Sequence, residues 1–244
     1  MEKIRLGIFA SGSGTTGEVI FDKAVVVLTN NPEAGVIDLA KKHNVACEVL
    51  PPRSEFRIYN PDGGVNKELS SENYGNYIIK LLEKYQITHG SLNGFDTLMP
   101  ENVTEKFLMV NSHPGPLDPG FLDFGGVGMH GLAVHQAVLE FSKMIKNPFP
   151  FKTAVCLHLV NKEFDKGKLV SYKEVEVKED DSAESLQTRV KEAEKIQNKE
   201  FWNRVEQNGG KLVVISRYER VIFPGEEKFL EEAKIRAIAM YPKG

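Results

Sequence analysis

The stretch IRLGIFASGSGTT, residues 4–16, decides the architecture. Ile4 to Ala10 form a short, apolar, β-branched run closed by a Gly/Ser cluster, which predicts an interior parallel strand. AVVVLT (24–29) repeats the pattern and stops at Asn30, Asn31 and Pro32. EAGVIDLAKKHN (33–44) then predicts a short amphipathic helix, and the Pro-, Gly- and Asn-rich residues 51–66 a loop. From Ser71 onward, Tyr74, Ile78, Leu81 and Tyr85 recur at helical spacing. SLNGF (91–95) and FLMVNSH (107–113) are two more strands ending in polar residues, and HGLAVHQAVLEFSKMI (130–145) is a helix. TAVCLHLV (153–160) and KLVSYKEVEV (168–177) form a β-rich pair. Asp181 with Glu184 three residues on has the form of a capping box, opening a long helix to about Val205. KLVVIS (211–216) predicts a last strand, and a final helix starts near Glu226. Strands alternating with helices give an α/β class, a mostly parallel sheet with helices on both faces. No linker, repeat or low-complexity tract interrupts residues 1–244, so a single domain is expected.

Composition narrows the classes of function. The chain has 244 residues, 41% hydrophobic, enough for one sizeable core. A net charge of −3 and the absence of a basic stripe argue against nucleic acid as a partner. Basic and acidic residues interleave instead, as in EAEKIQNKEFWNR (192–204), and read as a solvated helix face. Cys47 and Cys156, far apart and without metal-ligand or CxxC spacing, fit a reduced, cytoplasmic setting and no metal. No apolar run approaches the roughly 18–20 residues of a membrane span, so no membrane partner is expected. MEKIRLGIFASG reads as a buried strand rather than a signal peptide, because glycines interrupt its apolar stretch.

Chemistry concentrates at two strand ends, where ligands bind in such sheets. The first strand runs into Ser11-Gly12-Ser13-Gly14-Thr15-Thr16 and a helical start. Glycines let the backbone curl round an anion, with successive N–H groups and a helix N-terminus supplying positive potential. The motif lacks a Walker Lys and full dinucleotide spacing, and a bare strand-to-helix turn would also account for it. The strand FLMV delivers Asn111 and His113, placed on one face by strand alternation, ahead of Pro114-Gly115-Pro116. An amide donor beside an imidazole suits acyl transfer, although a capped strand end with a hydrogen-bonded His fits the same residues. His158 lies in a strand, and Asp165 in the turn NKEFDKG is by itself an ordinary hairpin residue.

Five motifs occur in one order: SGSGTT, LNGF, VNSHPGPL, VCLHLVNKEFDKG and SLQTRVKEAEK. In this they resemble the folate-dependent formyltransferase family, of the glycinamide ribonucleotide transformylase type, over roughly residues 4–205. The resemblance implies a Rossmann-like formyltransferase fold and formyl transfer from 10-formyltetrahydrofolate to the amine of glycinamide ribonucleotide in purine synthesis. It further implies Asn111, His113 and Asp165 as the catalytic trio. Ser13, Gly14, Thr15 and Thr16 would hold the substrate phosphate, and Glu194 a ribose hydroxyl. Asp96, Thr97, Leu98, Met99 and Asn161 would line the folate pocket, with small molecules as the partners and a monomer or homodimer as the assembly. His158 would be either an orienting group behind the trio or a satisfied strand His, while His135 is expected to face solvent or a helix interface.

Departures from the family pattern fall at several places along the chain. GEVIFDK leaves room for only a short first helix, and HPGPLDP leads into an expanded Gly-rich segment, DPGFLDFGGVGMHG (118–131). Thr97 stands where the family commonly has a basic residue for the folate glutamate tail. KNPFPFK (146–152) and the C-terminal helix look like additions. Among relatives with the same trio, a transfer-RNA formyltransferase is disfavoured by the acidic balance, and a deformylase by the lack of its regulatory domain. A sugar-nucleotide formyltransferase and a non-catalytic folate- or nucleotide-binding module remain as alternatives.

Overall fold

The computed structural model describes residues 3–117, 123–145, 151–215, 225–242 and 244. The apolar run at the start forms β1 (Leu6–Phe9), fully buried, and AVVVLT forms β2 (Ala24–Thr29). After helix α1 (Val36–Lys42), the chain adds β3 (Ala46–Val49), which is half exposed. Residues 51–66 carry a 3-10 turn (Arg53–Phe56) and a two-residue hairpin, β4 (Ile58–Tyr59) with β5 (Val65–Asn66). Helix α2 (Lys67–Lys84) begins there because the Asn66 side chain accepts from the Leu69 N–H at 3.0 Å, an N-cap. Next come β6 (His89–Asn93), the short helix α3 (Glu101–Lys106) and β7 (Leu108–His113). Helix α4 (Leu132–Met144), β8 (Phe151–Leu159), β9 (Leu169–Val177), α5 (Ala183–Gln207) and α6 (Glu227–Met240) complete the order.

Seven strands form one mixed sheet in the order β3-β2-β1-β6-β7-β8-β9. β1 pairs in parallel with β2 and β6, and β2 with β3, whereas β8 and β9 run antiparallel. The described residues gather into two compact units. The first comprises Met1–Asn111, Leu159–Glu163 and Trp202–Lys211, the second Ser112–His158, Phe164–Phe201 and Leu212–Gly244.

In the first unit α2 buries Tyr74, Ile78 and Leu82, spaced one turn apart, against Phe9, Leu28, Leu92 and Met109. Each such side chain contributes about 1.5–3 kcal/mol by leaving water. Phe9 and Phe95 meet edge-to-face, with ring centroids 5.4 Å apart. In the second unit α4 is buried almost all round, and α6 lays Leu230, Ala233 and Ala237 against it. The small residues of α6 allow the two helices to approach closely.

Three expectations change. Residues 211–215 are not a strand: Ile215 donates to the Leu169 carbonyl at 2.8 Å, but Val213 and Val214 stay exposed and no ladder forms among the described residues. Ser216 lies outside the described residues. The capping box of α5 is one residue further on than the Asp181/Glu184 reading. Ser182 and Ser185 cap each other, with Ser185 N–H to Ser182 Oγ at 3.2 Å and Ser182 N–H to Ser185 Oγ at 3.0 Å. Asp181 is withdrawn from capping by Arg189 and by the Lys178 N–H. Finally, GEVIFDK makes only the 3-10 turn Glu18–Ile20. No helix among the described residues is long and apolar enough to cross a membrane.

Candidate active site

The loop after β1 is shaped by its glycines. Gly14 has φ +70, and a Cβ there would run into the side chain of Val36. Its carbonyl accepts the N–H groups of both Gly17 and Glu18 at 3.0 Å, closing the turn. These two donors are thereby consumed inside the turn, and a three-residue 3-10 segment has no appreciable macrodipole. The helix N-terminus expected beside an anion is therefore absent. What remains is a run of main-chain N–H groups from Gly12 to Thr16 that donate to nothing among the described residues, with hydroxyls on Ser13, Thr15 and Thr16. Consecutive unpaired amides of this kind have the form of a nest, an arrangement able to receive an anion.

In the same unit, Ser11, Asn30, Asp96 and Thr97 are bound into one network. Asn30 Nδ2 donates to Asp96 Oδ1 and to Thr97 Oγ1, each at 2.7 Å, and Ser11 Oγ lies 2.9 Å from Asp96 Oδ1. Partial desolvation raises the Asp96 carboxyl, but these donors together hold it below its ordinary range. Of the residues assigned to folate, Met99 is buried, Leu98 and Thr97 half-buried, and Asp96 exposed. Asn161 caps its own turn by accepting the Glu163 N–H at 3.0 Å. Asn111 sits on β7 two residues before His113, on the same strand face.

In the second unit, the end of β7 carries a buried titratable cluster. His113 is 3% exposed, and its Nε2 donates to the Phe124 carbonyl at 3.0 Å. That bond places the proton of the neutral ring on Nε2 and leaves Nδ1 basic. Nδ1 lies 3.6 Å from Asp165 Oδ2, too far for a hydrogen bond but close for charge. Asp165 occupies the left-handed region at φ +56, a conformation Asp tolerates better than most residues. Its Oδ2 accepts the Gly126 N–H at 3.0 Å, and its Oδ1 lies 3.4 Å from His158 Nε2. The turn NKEFDKG is thus more than a hairpin: it delivers Asp165 to two imidazoles.

Electrostatics divide the work between these groups. Burial drives the His113 pKa down, and the Asp165 charge opposes it only in part, so the resting ring is neutral. Burial alone would raise Asp165, but His113, His158 and the Gly126 N–H outweigh it and hold the carboxylate ionised. Protonating His113 adds a proton at Nδ1, facing that carboxylate. The cluster is therefore a neutral base with a fixed anion behind it, poised to accept one proton.

Sequence reasoning missed three participants. The Phe124 carbonyl and the Gly126 N–H are main-chain groups, which no residue pattern reveals. Ser112, between Asn111 and His113, donates its hydroxyl to Glu194 Oε1 at 2.7 Å, and Glu194 itself is only 6% exposed. Of the two places expected for His135, solvent is excluded: it is 1% exposed on the packed helix α4, with Nδ1 unpartnered among the described residues. Also among the described residues, no group of three or more His, Cys, Asp or Glu could hold a metal ion.

A family model described as formyl transferase matches residues 14–200. The chain belongs to the formyl transferase family. The match takes in residues 14–16 of the loop after β1, the β7 terminus, the Asp165 turn and Glu194. Among curated relatives, the chloroplastic phosphoribosylglycinamide formyltransferase of Arabidopsis thaliana is 27% identical over 197 residues, covering 76% of this chain and 60% of that protein. The trifunctional purine biosynthetic protein adenosine-3 of Gallus gallus is 27% identical over 201 residues, covering 79% of this chain and 17% of its own length. The chain thus spans less than two thirds of these relatives. Among solved structures, phosphoribosylglycinamide formyltransferase from Coxiella burnetii superposes with a TM-score of 0.67 at 20% identity, covering 87% of this chain and 97% of the other. The corresponding enzyme from Bacillus halodurans gives 0.64 at 24% identity, covering 84% and 96%. At such identities the likeness establishes the formyl transferase fold, in agreement with the Rossmann-like expectation.

Proposed function

We propose that this formyl transferase moves the formyl group of 10-formyltetrahydrofolate to the amine of glycinamide ribonucleotide. The observation that carries the reading is the pairing of neutral His113 with ionised Asp165, inside the segment the family model matches. The acceptor amine attacks the formyl carbon, a new C–N bond forms, and the bond from that carbon to folate N10 breaks. One proton leaves the amine and one is taken up at N10. Asn111 donates its amide to the oxygen that gains negative charge, and a donor of this kind is typically worth about 3 kcal/mol. His113 Nδ1 receives the proton, and Asp165 stabilises the imidazolium so formed.

In the same reading the nest of Ser13, Gly14, Thr15 and Thr16 holds the acceptor phosphate, and Glu194, oriented by Ser112, accepts from a ribose hydroxyl. Asp96, Thr97, Leu98, Met99 and Asn161 line the folate side. Thr97 already accepts from Asn30 and carries no charge for a polyglutamate tail, so the glutamate chain adds little to binding. Residues 1–244 act as one formyltransferase unit on small molecules, without nucleic acid or metal, as a monomer or homodimer. Cys47 and Cys156, which form no disulfide, suit a reducing cytoplasm, although the plant relatives bear a chloroplast designation.

The 3-10 turn in place of a helix after Gly14 favours one second reading, an amino-sugar nucleotide as acceptor. An assay with 10-formyltetrahydrofolate and either acceptor separates the two. Formylated glycinamide ribonucleotide with release of tetrahydrofolate is expected. Product from the sugar nucleotide alone would move the acceptor assignment, and folate binding without any product would make the protein a binding module.

A further inference from the structure

We infer that Lys234, on the C-terminal helix α6, is a positioning residue for the His113–Asp165 pair; this rests on the proposed formyl transfer. The pair depends on one short segment, Asp123–Gly126. Its main chain supplies both groups that define the pair: the Phe124 carbonyl fixes the His113 tautomer, and the Gly126 N–H holds the Asp165 carboxylate. A segment containing Gly125 and Gly126 does not hold such a conformation by its own preference, because glycine retains more backbone freedom than any other residue. It must be held from outside.

The structure shows four restraints. Phe124 N–H donates to the Pro116 carbonyl at 2.8 Å, and Asp123 pairs with Leu117 in an isolated bridge. The Asp123 carboxylate accepts the Gly125 N–H at 3.0 Å and is bound by the Lys166 ammonium. Lys234 Nζ reaches in from α6 to the Asp123 carbonyl at 3.3 Å. The first three come from Pro116, Leu117, Gly125 and Lys166, all within residues 14–200. The fourth comes from a helix at Glu227–Met240, outside the residues 14–200 that the family model matches.

Three features make Lys234 more than a surface contact. Its side chain is only 17% exposed, and its other charged neighbour, Glu231, is 3.6 Å away on the outer turn. The helix behind it is anchored on α4 through Leu230, Ala233 and Ala237. The same helix touches the Gly-rich segment again, where Ile238 lies against Gly128. Close packing at Gly125, where a Cβ would strike both Leu117 and the Asp165 side chain, couples any shift of the segment to Asp165. Lys234 therefore supplies a charged donor to a carbonyl one residue from the His113 acceptor, and α6 joins the site through it.

Lys234→Met tests this, because the apolar stem is kept and only the ammonium is lost. Two readouts are taken on the full chain. In 15N spectra of labelled histidine, the wild-type His113 ring shows a protonated Nε2 and an unprotonated Nδ1. In Lys234→Met the Phe124 carbonyl is released and the two tautomers mix, while the melting temperature stays within about 2 °C. Turnover falls about tenfold, the size expected for losing a hydrogen bond from a charged donor, with KM little changed, and Lys234→Arg restores both signals. An unchanged His113 tautomer in a folded Lys234→Met protein overturns the inference, as does a loss of turnover that Arg does not rescue. The spectra need no substrate, so a wild-type protein inactive on both acceptors would defeat the proposed function and leave the tautomer test standing.

Discussion

Replacing Asp165 by Asn removes one negative charge and little else. Asn tolerates the left-handed backbone at φ +56 as readily as Asp, so the turn survives. Its amide oxygen still accepts the Gly126 N–H. What disappears is the anion 3.6 Å from His113 Nδ1. Opposite unit charges about 4 Å apart interact by about 4 kcal/mol at an effective dielectric of 20. Desolvation of the buried carboxylate offsets part of this, leaving about 2.7 kcal/mol for the imidazolium formed during transfer, or roughly a hundredfold in rate. Tetrahydrofolate release at saturating substrate gives kcat directly, with thermal unfolding run in parallel. The expected result is a hundredfold loss of kcat in a folded protein. The Asp165 carboxyl is held below its unfolded value, so its stabilisation is present above about pH 4 and fades as the pH falls further. Wild-type and variant unfolding curves should therefore converge in acid. A folded Asp165→Asn enzyme with kcat within about threefold of wild type would refute the assignment of Asp165 to the chemistry.

His135 sets a different pH dependence. Burial lowers its pKa to about 3, so the folded state resists protonation that the unfolded chain accepts below about 6.5. Stability from this residue is complete above pH 7 and should drop by about 2 kcal/mol on going to pH 5. Urea unfolding at both values should show His135→Met losing that part of the slope, and an unchanged slope would contradict it. At the start of α5, Ser182→Ala should cost about 1 kcal/mol, whereas Glu184→Ala should stay within about 0.5 kcal/mol. The reverse ranking by thermal unfolding would restore the Asp181/Glu184 cap.

Much of the sheet was legible because β1, β2 and β7 are continuous apolar runs with polar endings, a pattern set by burial on both faces. β3 and α3 escaped notice for a physical reason. ACEV is half exposed, and ENVTEK makes less than two turns, so neither leaves a periodic signature. KLVVIS misled in the opposite direction: β-branched composition marks what a strand would accept, and strand formation also requires a partner ladder. At the site, alternation alone put Asn111 and His113 on one face. Asp165 could be joined to them only through resemblance, since the pairing is made by a turn and by tertiary folding. The main-chain groups of Phe124 and Gly126 leave no trace in side-chain identity at all.

The connection from β1 to β2 gives one segment two obligations. Parallel neighbours need a crossover of a dozen or more residues, and here residues 10–23 make it with a single 3-10 turn. The same residues provide the nest of main-chain amides. There is no separate helix to absorb an insertion or deletion, so a length change at the nest would also strain the registry of the two strands. Exchanging the side chains of Ser13, Thr15 or Thr16 alters what this corner presents while the backbone path stays as it is.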